Sequence, residues 1–250
     1  MNPIKNKFFC GTSNIVLPVP NKSHYPPEYM DKSRLAYYSS LFNSLEVNST
    51  FYKIPMSKTV ERWADSVPEY FRFSFKLWRG ITHGKELVFD AQDINRFFQS
   101  IEPARNKKGC VLVQFPASIK LLHIQKLQNL FDEIVAVNGN SDWKLAIEFR
   151  DKSWYNNSVF QLLKNYNAGL VIHDIPASAT PIVDMQADFI YIRFHGEKGD
   201  YRGSYTTDFL KDKADVLKAC LAQNKTVFAY FNNTIGEAVQ NAFTLKNCMA

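Results

Sequence analysis

Two glutamates, a histidine and several cations sit at alternate positions inside apolar runs, where such groups are costly unless paired or used. Glu46 and Asn48 share one face of Leu45-Glu46-Val47-Asn48. Glu148 and Arg150 repeat the pattern within 144–150, and Tyr191, Arg193 and His195 repeat it within 189–196. Ser74 with Lys76, Gln114, and Tyr230 with Asn232 mark three further runs. A strand alternates faces with period two, so each set projects to one side. Glu46 and Glu148 are candidates for general acid–base work, because burial or a like charge moves a carboxyl pKa toward neutrality. Ion pairing with Lys76, Arg150 or Arg193 is the competing explanation. His195 is the third catalytic candidate, as a proton shuttle or simply as a hydrogen-bonded interior histidine. Lys76, Arg150 and Arg193 have the charge to hold a phosphate or carboxylate. Asn48, Gln114, Tyr230 and Asn232 complete the candidate substrate-binding set, with turn-making as the alternative for Asn232 and Asn233. Glu46, Glu148, His173, Asp174 and His195 are metal-ligand types, but no dense motif such as His-Glu-x-x-His fixes a spacing. No metal ligand is therefore assigned, and the cofactor stays unknown, with a divalent ion left open.

The elements that must position these groups are strands alternating with helices. Strand-like runs occupy 8–13, 44–52, 71–77, 110–115, 144–149, 169–174, 189–195 and 226–231. Helical periodicity fills 33–42, 57–65, 90–101, 119–135, 157–166, 207–223 and 236–246. The connection 174–188 carries Pro176 and Pro181 and no clear helix. This order implies parallel strands with right-handed crossovers. The expected fold is α/β, a (β/α)8 TIM-type barrel with one missing or irregular helix between strands six and seven. An open doubly wound sheet is the rival, but neither a Gly-x-Gly-x-x-Gly after the first strand nor a Walker loop occurs. No linker or composition shift divides residues 1–250, so one domain is expected. In such barrels the site lies at the carboxyl ends of the strands, where the polar residues cluster.

Composition limits the function classes. The 250 residues are 46% hydrophobic and 14% aromatic, ample for a core. The formal charge of +6 and pI near 9.0 mildly favour anionic partners. Lys and Arg never run beyond two, which excludes a basic tail. Cys10, Cys110, Cys220 and Cys248 form no Cys-x-x-Cys and suit a reducing compartment. Without an apolar signal region or a long apolar span, a cytoplasmic protein with no membrane partner is expected. Oligomeric state is not legible.

Several blocks together resemble the YecE-like family, known as domain of unknown function 72. They are Phe9-Cys10-Gly11-Thr12-Ser13, Leu45-Glu46-Val47-Asn48-Ser49-Thr50-Phe51-Tyr52, Phe73-Ser74-Phe75-Lys76 and Ile81-Thr82-His83. Gln114-Phe115-Pro116, Glu148-Phe149-Arg150-Asp151-Lys152-Ser153-Trp154, Tyr191-Ile192-Arg193-Phe194-His195-Gly196 and Tyr230-Phe231-Asn232-Asn233 complete the set. The resemblance implies a TIM-type barrel with the polar motifs at one end, and no established reaction. The chain departs from the usual family blocks at Asn14-Ile15 after Ser13, and at Asp151, where the family usually has His.

Three functions follow as expectations. The favoured one is an enzyme acting on an anionic small molecule, phosphorylated or carboxylated, by acid–base chemistry at the barrel mouth. The second is binding or metal-assisted processing of nucleic acid, supported by pI and by basic-aromatic loops. The third is a non-catalytic ligand-binding protein.

Overall fold

A computed structural model describes residues 7–139, 141–181 and 187–250. Its strands follow the alternating runs: β1 Phe8–Thr12, β2 Ser44–Val47, β3 Arg72–Lys76, β4 Lys108–Phe115, β5 Lys144–Phe149, β6 Ala168–Leu170, β7 Ile172–His173, β8 Phe189–Phe194 and β9 Thr226–Phe231. Every pairing is parallel. One sheet runs β2-β3-β4-β5-β6 and the other β1-β9-β8-β7. The helices are α1 Arg34–Leu41, α2 Ser49–Tyr52, α3 Ser57–Asp65, α4 Arg79–Thr82, α5 Ala91–Ile101, α6 Ile124–Asn138, α7 Asn157–Asn165, α8 Thr207–Ala222 and α9 Ala238–Met249. Side-chain caps start several of them: Ser33 accepts from Ala36 N–H, Asn156 from Val159 N–H and Thr206 from Phe209 N–H.

The two sheets make a TIM-type α/β fold whose backbone ladder is interrupted at two seams. At the first, the expected sixth strand breaks at Val171, whose N–H donates to Ile147 O at 2.8 Å, and so becomes β6 and β7. At the second, β1 and β2 touch through a single bridge, Ser13 with Glu46. Elsewhere along this seam side chains replace the ladder. Asn43 accepts from Cys10 N–H at 2.9 Å and donates to Phe8 O at 2.8 Å. The Tyr38 hydroxyl accepts from Thr12 N–H at 2.7 Å and donates to Ser44 O at 3.1 Å. Buried backbone groups need partners, and these two side chains supply them. Gly11 permits the approach, since a Cβ there would lie 2.0 Å from Ser44 O.

Alternation divides the strands between two environments. Outward residues such as Phe73, Phe75, Val111, Val113, Leu145, Ile147, Ile190 and Ile192 join the main core between strands and helices. Inward residues form a second cluster that includes Phe9, Cys110, Leu112, Ala146, Phe189, Tyr191, Phe228 and Tyr230. The inner layer is oily at its base, mixed at Tyr191 and Tyr230, and charged at the carboxyl ends of the strands. Gly169 leaves the space that the Phe189 ring fills, at 2.6 Å from an added Cβ.

Two local expectations change. The second strand stops at Val47 rather than reaching residue 52, and α2 follows. The Thr50 hydroxyl donates to Lys76 O at 2.7 Å, taking over a group that a longer strand would have paired. In the connection after β7, residues 174–181 form turns without a helix, as the two prolines suggest; residues 182–186 lie outside the described residues, as does the start, 1–6. Among the described residues, no helix is long and apolar enough to cross a membrane.

Candidate functional site

Arg193, from β8, lies at the centre of the charged layer. Its Nη2 donates to Glu46 Oε1 at 2.8 Å, its Nε to Glu46 Oε2 at 2.9 Å and its Nη1 to Glu148 Oε2 at 2.7 Å. The paired carboxylate of Glu46 is a fork-to-fork contact. Ser13 Oγ donates to Glu46 Oε1 at 2.6 Å and Tyr191 OH to Oε2 at 2.7 Å. Glu148 Oε1 accepts from Arg150 Nε at 2.5 Å. Arg193 is 1% exposed and both glutamates 0%. Burial pushes each glutamate pKa up, but the cations overcome it. For Glu46 the Arg193 charge and the bonds from Arg193, Ser13 and Tyr191 leave the carboxyl below its ordinary value. For Glu148, Arg150 and Arg193 hold it well below. Burial alone would lower the Arg193 pKa, yet the two carboxylates raise it overall. All three groups are therefore ionised.

His195 joins the same network as a neutral ring. Its Nε2 lies 3.1 Å from Arg193 Nη1 and 3.2 Å from Arg150 Nη2, and guanidinium can only donate. Nε2 is thus the acceptor, and the ring proton sits on Nδ1, 3.3 Å from Asp174 Oδ1. Burial, with the positive charge of Arg193 and Arg150, lowers the His195 pKa to about 4 against the pull of Asp174. Asp174 also accepts from His195 N–H at 2.9 Å and from the Tyr205 hydroxyl, which itself accepts from Gly196 N–H at 2.6 Å. β7 ends at His173, so the adjacent His173 and Asp174 diverge. Asp174 turns to His195, whereas His173 Nε2 faces Phe149 O at 3.0 Å.

Cations crowd the rim. Lys76, half-buried at the end of β3, donates to Gln114 Oε1 at 2.8 Å and stands 4.2 Å from the Phe51 ring centroid. Arg79 approaches the same ring at 6.0 Å, and His83 meets it edge-on at 4.8 Å. Burial lowers the His83 pKa to about 4, assisted by the charges of Lys76, Arg79 and Arg150. Burial also lowers Lys76, to about 8, with Arg193 and Arg150 opposing Glu148 and Glu46.

The remaining candidates are placed differently. Tyr230 is fully buried, its hydroxyl 2.5 Å from Ser44 Oγ and 2.9 Å from Ser74 Oγ. Those serines precede Glu46 and Lys76 by two residues, so Tyr230 lies a layer beneath the charges. Asn48 is half-buried beyond the end of β2, and its Oδ1 has no partner among the described residues. Asn232, half-buried after β9, donates its N–H to Phe194 O at 2.7 Å. Asn233 Nδ2 donates to Gly203 O, in the loop after β8, at 3.0 Å and to Asn241 Oδ1, on α9, at 2.9 Å. Among the described residues no three His, Cys, Asp or Glu side chains form a metal-holding group, and the glutamates that could contribute face Arg193 and Arg150. Trp154 is a core ring stacked on Phe149 at 4.8 Å, its Nε1 donating to Ile119 O.

The profile of the family described as a protein of unknown function, DUF72, matches residues 10–250. The chain belongs to the DUF72 family. It is 30% identical to the UPF0759 protein YunF of Bacillus subtilis, over 86% of this chain and 85% of that protein. It is 27% identical to the UPF0759 protein YecE of Escherichia coli K12, over 48% of this chain and 44% of that one. A solved DUF72 structure from Thermotoga maritima superposes with a TM-score of 0.77 at 25% identity, covering 96% of this chain and 98% of that chain. One from Enterococcus faecalis V583 gives 0.71 at 26% identity, covering 96% of each.

The site also contains residues outside the catalytic and substrate-binding sets read from the sequence. Ser13 and Tyr191 ligate Glu46, and Tyr191 carried a signal in its spacing from Arg193. Asp174 and Tyr205 support His195; Tyr205 comes from a loop, where no periodicity marks a facing direction. Phe51, Arg79 and His83 reach the rim from short helical turns.

Proposed function

We propose that the barrel mouth binds a small anionic molecule through a phosphate or carboxylate, with Lys76, Arg79 and Arg150 as the cations that receive it. The observation carrying this reading is uncompensated charge. Lys76 and Arg79 flank one aromatic ring, Arg150 adds to the same field at His83, and of these three only Arg150 has a carboxylate contact among the described residues. Like charges gathered this way repel one another until an anion neutralises them. The Glu46–Arg193–Glu148 floor carries one net negative charge, which Arg150 balances through Glu148, so the cations left without a carboxylate are Lys76 and Arg79; His195 Nε2 accepts from the Arg150 guanidinium. The partnerless oxygen of Asn48 suits a ligand hydroxyl, and a flipped amide would offer a donor instead. Acid–base chemistry at this mouth belongs to the same proposal. The saturated partners of Glu46, Glu148 and His195 assign them to holding the cations in place before any proton transfer.

Thermal denaturation with inorganic phosphate and a panel of small phosphorylated and carboxylated compounds tests this. A ligand at about 100 times its Kd adds about 2.7 kcal/mol, which corresponds to roughly 5–10 °C for a chain of this size. Wild type should gain stability from at least one such anion, and a Lys76→Met/Arg79→Ala double variant should not. Equal shifts in both proteins, or none in wild type, would remove the basis of the reading.

A further inference from the structure

We propose that Lys76 is a nucleophile whose ε-amine condenses with the aldehyde or ketone of the bound anion to form a Schiff base. This rests on the anion-binding reading and names the ligand class more closely: a carbonyl compound bearing a carboxylate or phosphate.

A Schiff-base lysine must be partly neutral near pH 7, must be accessible, and must not be locked in an ion pair. Lys76 meets each condition. It stands half-buried at the mouth end of β3. Among the described residues its polar contact is a neutral amide oxygen, Gln114 Oε1, at 2.8 Å, and the Phe51 ring lies beside it. The charged groups around it come from several elements: Glu46 from β2, Glu148 from β5, Arg150 beyond β5, Arg193 from β8 and Arg79 from α4, with the neutral ring of His83 just after α4. The two carboxylates are already held by Arg193 and Arg150, so neither pairs directly with the ammonium, although both still pull its pKa upward from a distance. Burial, with the charges of Arg193 and Arg150 against those of Glu148 and Glu46, lowers its pKa to about 8. About a tenth of Lys76 is then neutral at pH 7, roughly 250 times the fraction of an ordinary lysine with pKa near 10.4.

Other lysines of the chain have different surroundings. Buried Lys107 donates to Ala64 O at 2.6 Å and Val67 O at 2.9 Å and also meets Glu69. Lys108 pairs with Glu102 and Lys144 with Asp188.

In the proposed step the neutral amine adds to the carbonyl carbon, forming the C–N bond as the C=O π pair moves to oxygen. Proton transfer from nitrogen to oxygen gives a carbinolamine. Loss of that oxygen as water, with one further proton, leaves an iminium ion; no oxidant or reductant is needed. The ligand's own anionic group offsets the iminium charge beside Arg150 and Arg79.

Reductive trapping tests the proposal. The protein is treated with glyoxylate, or with propionaldehyde as a neutral control, then with cyanoborohydride, and labelled lysines are mapped by peptide mass spectrometry. At pH 7 glyoxylate should label Lys76 about tenfold or more above the mean of the other lysines, because of its larger neutral fraction. Labelling at Lys76 should level off above pH 8 while the others keep rising. Inorganic phosphate should protect Lys76, and Lys76→Arg should lose that adduct alone. Mapping on wild type carries the result even where the variant fails to fold. Labelling of Lys76 no greater than that of surface lysines overturns the proposal; with phosphate still raising the melting temperature, the anion reading survives it. Equal labelling by both aldehydes with no protection by phosphate retains the nucleophile and overturns the anion reading.

Discussion

Replacing Arg193 with Met should invert the sign of part of the pH dependence of stability. Arg193 holds two carboxylates that, like itself, are essentially without solvent contact. Removing one partner of a buried pair costs about 3–5 kcal/mol, because the other charge is left uncompensated. Here Glu46 loses its only cation among its named partners and retains Ser13 and Tyr191, while Glu148 retains Arg150. In wild type both glutamates have folded-state pKa values below the ordinary one. Their stabilisation is thus present above the unfolded value of about 4.3 and is lost as pH falls through the folded values. Without Arg193, burial acts on Glu46 with no cation opposing it and raises its pKa. Stability then falls as pH rises through that raised value. Urea unfolding at pH 5 and pH 8 reads both effects. The variant should lose about 3–5 kcal/mol at pH 8 and noticeably less at pH 5, and adding Glu46→Gln should recover part of the loss at pH 8. A deficit under about 1 kcal/mol, equal at both pH values, would fit an exposed pair instead and refute the buried network.

Two further outcomes follow from named contacts. His195 should show the Nδ1–H tautomer in nitrogen NMR spectra and stay neutral down to about pH 5; a ring titrating near its ordinary value would contradict its position between two guanidiniums. Because its folded pKa lies below the ordinary one, its share of stability is present above about pH 6.5 and lost as pH falls toward 4. Tyr38→Phe should cost about 1–3 kcal/mol, because the buried Thr12 N–H loses its acceptor. Hydrogen exchange should accelerate at Thr12 and along the β1–β2 seam; unchanged protection there would mean that the hydroxyl does not replace the ladder.

Much of the layered arrangement was legible beforehand because period two needs no knowledge of neighbours. Glu46, Glu148 and Arg193 could be assigned to inner faces from their spacing, and the helical runs 33–42, 157–166 and 207–223 begin within one residue of the observed helices. The end of β2 was not legible. Thr50 and Phe51 are good strand residues, and it is the carbonyl of Lys76 on the next strand that draws Thr50 into a turn. Nor was the Val171 break or the Tyr38 clasp, since each depends on how strands from distant parts of the chain are staggered.

The chain's own sequence determined which residues face inward and which end of each strand carries charge, because alternation and strand direction are local properties. The tertiary structure alone decided the pairings. It placed Arg193 between two glutamates from other strands, turned the His195 acceptor nitrogen toward guanidiniums, and left Lys76 with an amide and an aromatic ring instead of a carboxylate. Those contacts join residues as far as 147 positions apart. The tilt and stagger of the strands in the two sheets bring them within hydrogen-bond distance, and no spacing along a single strand encodes that stagger.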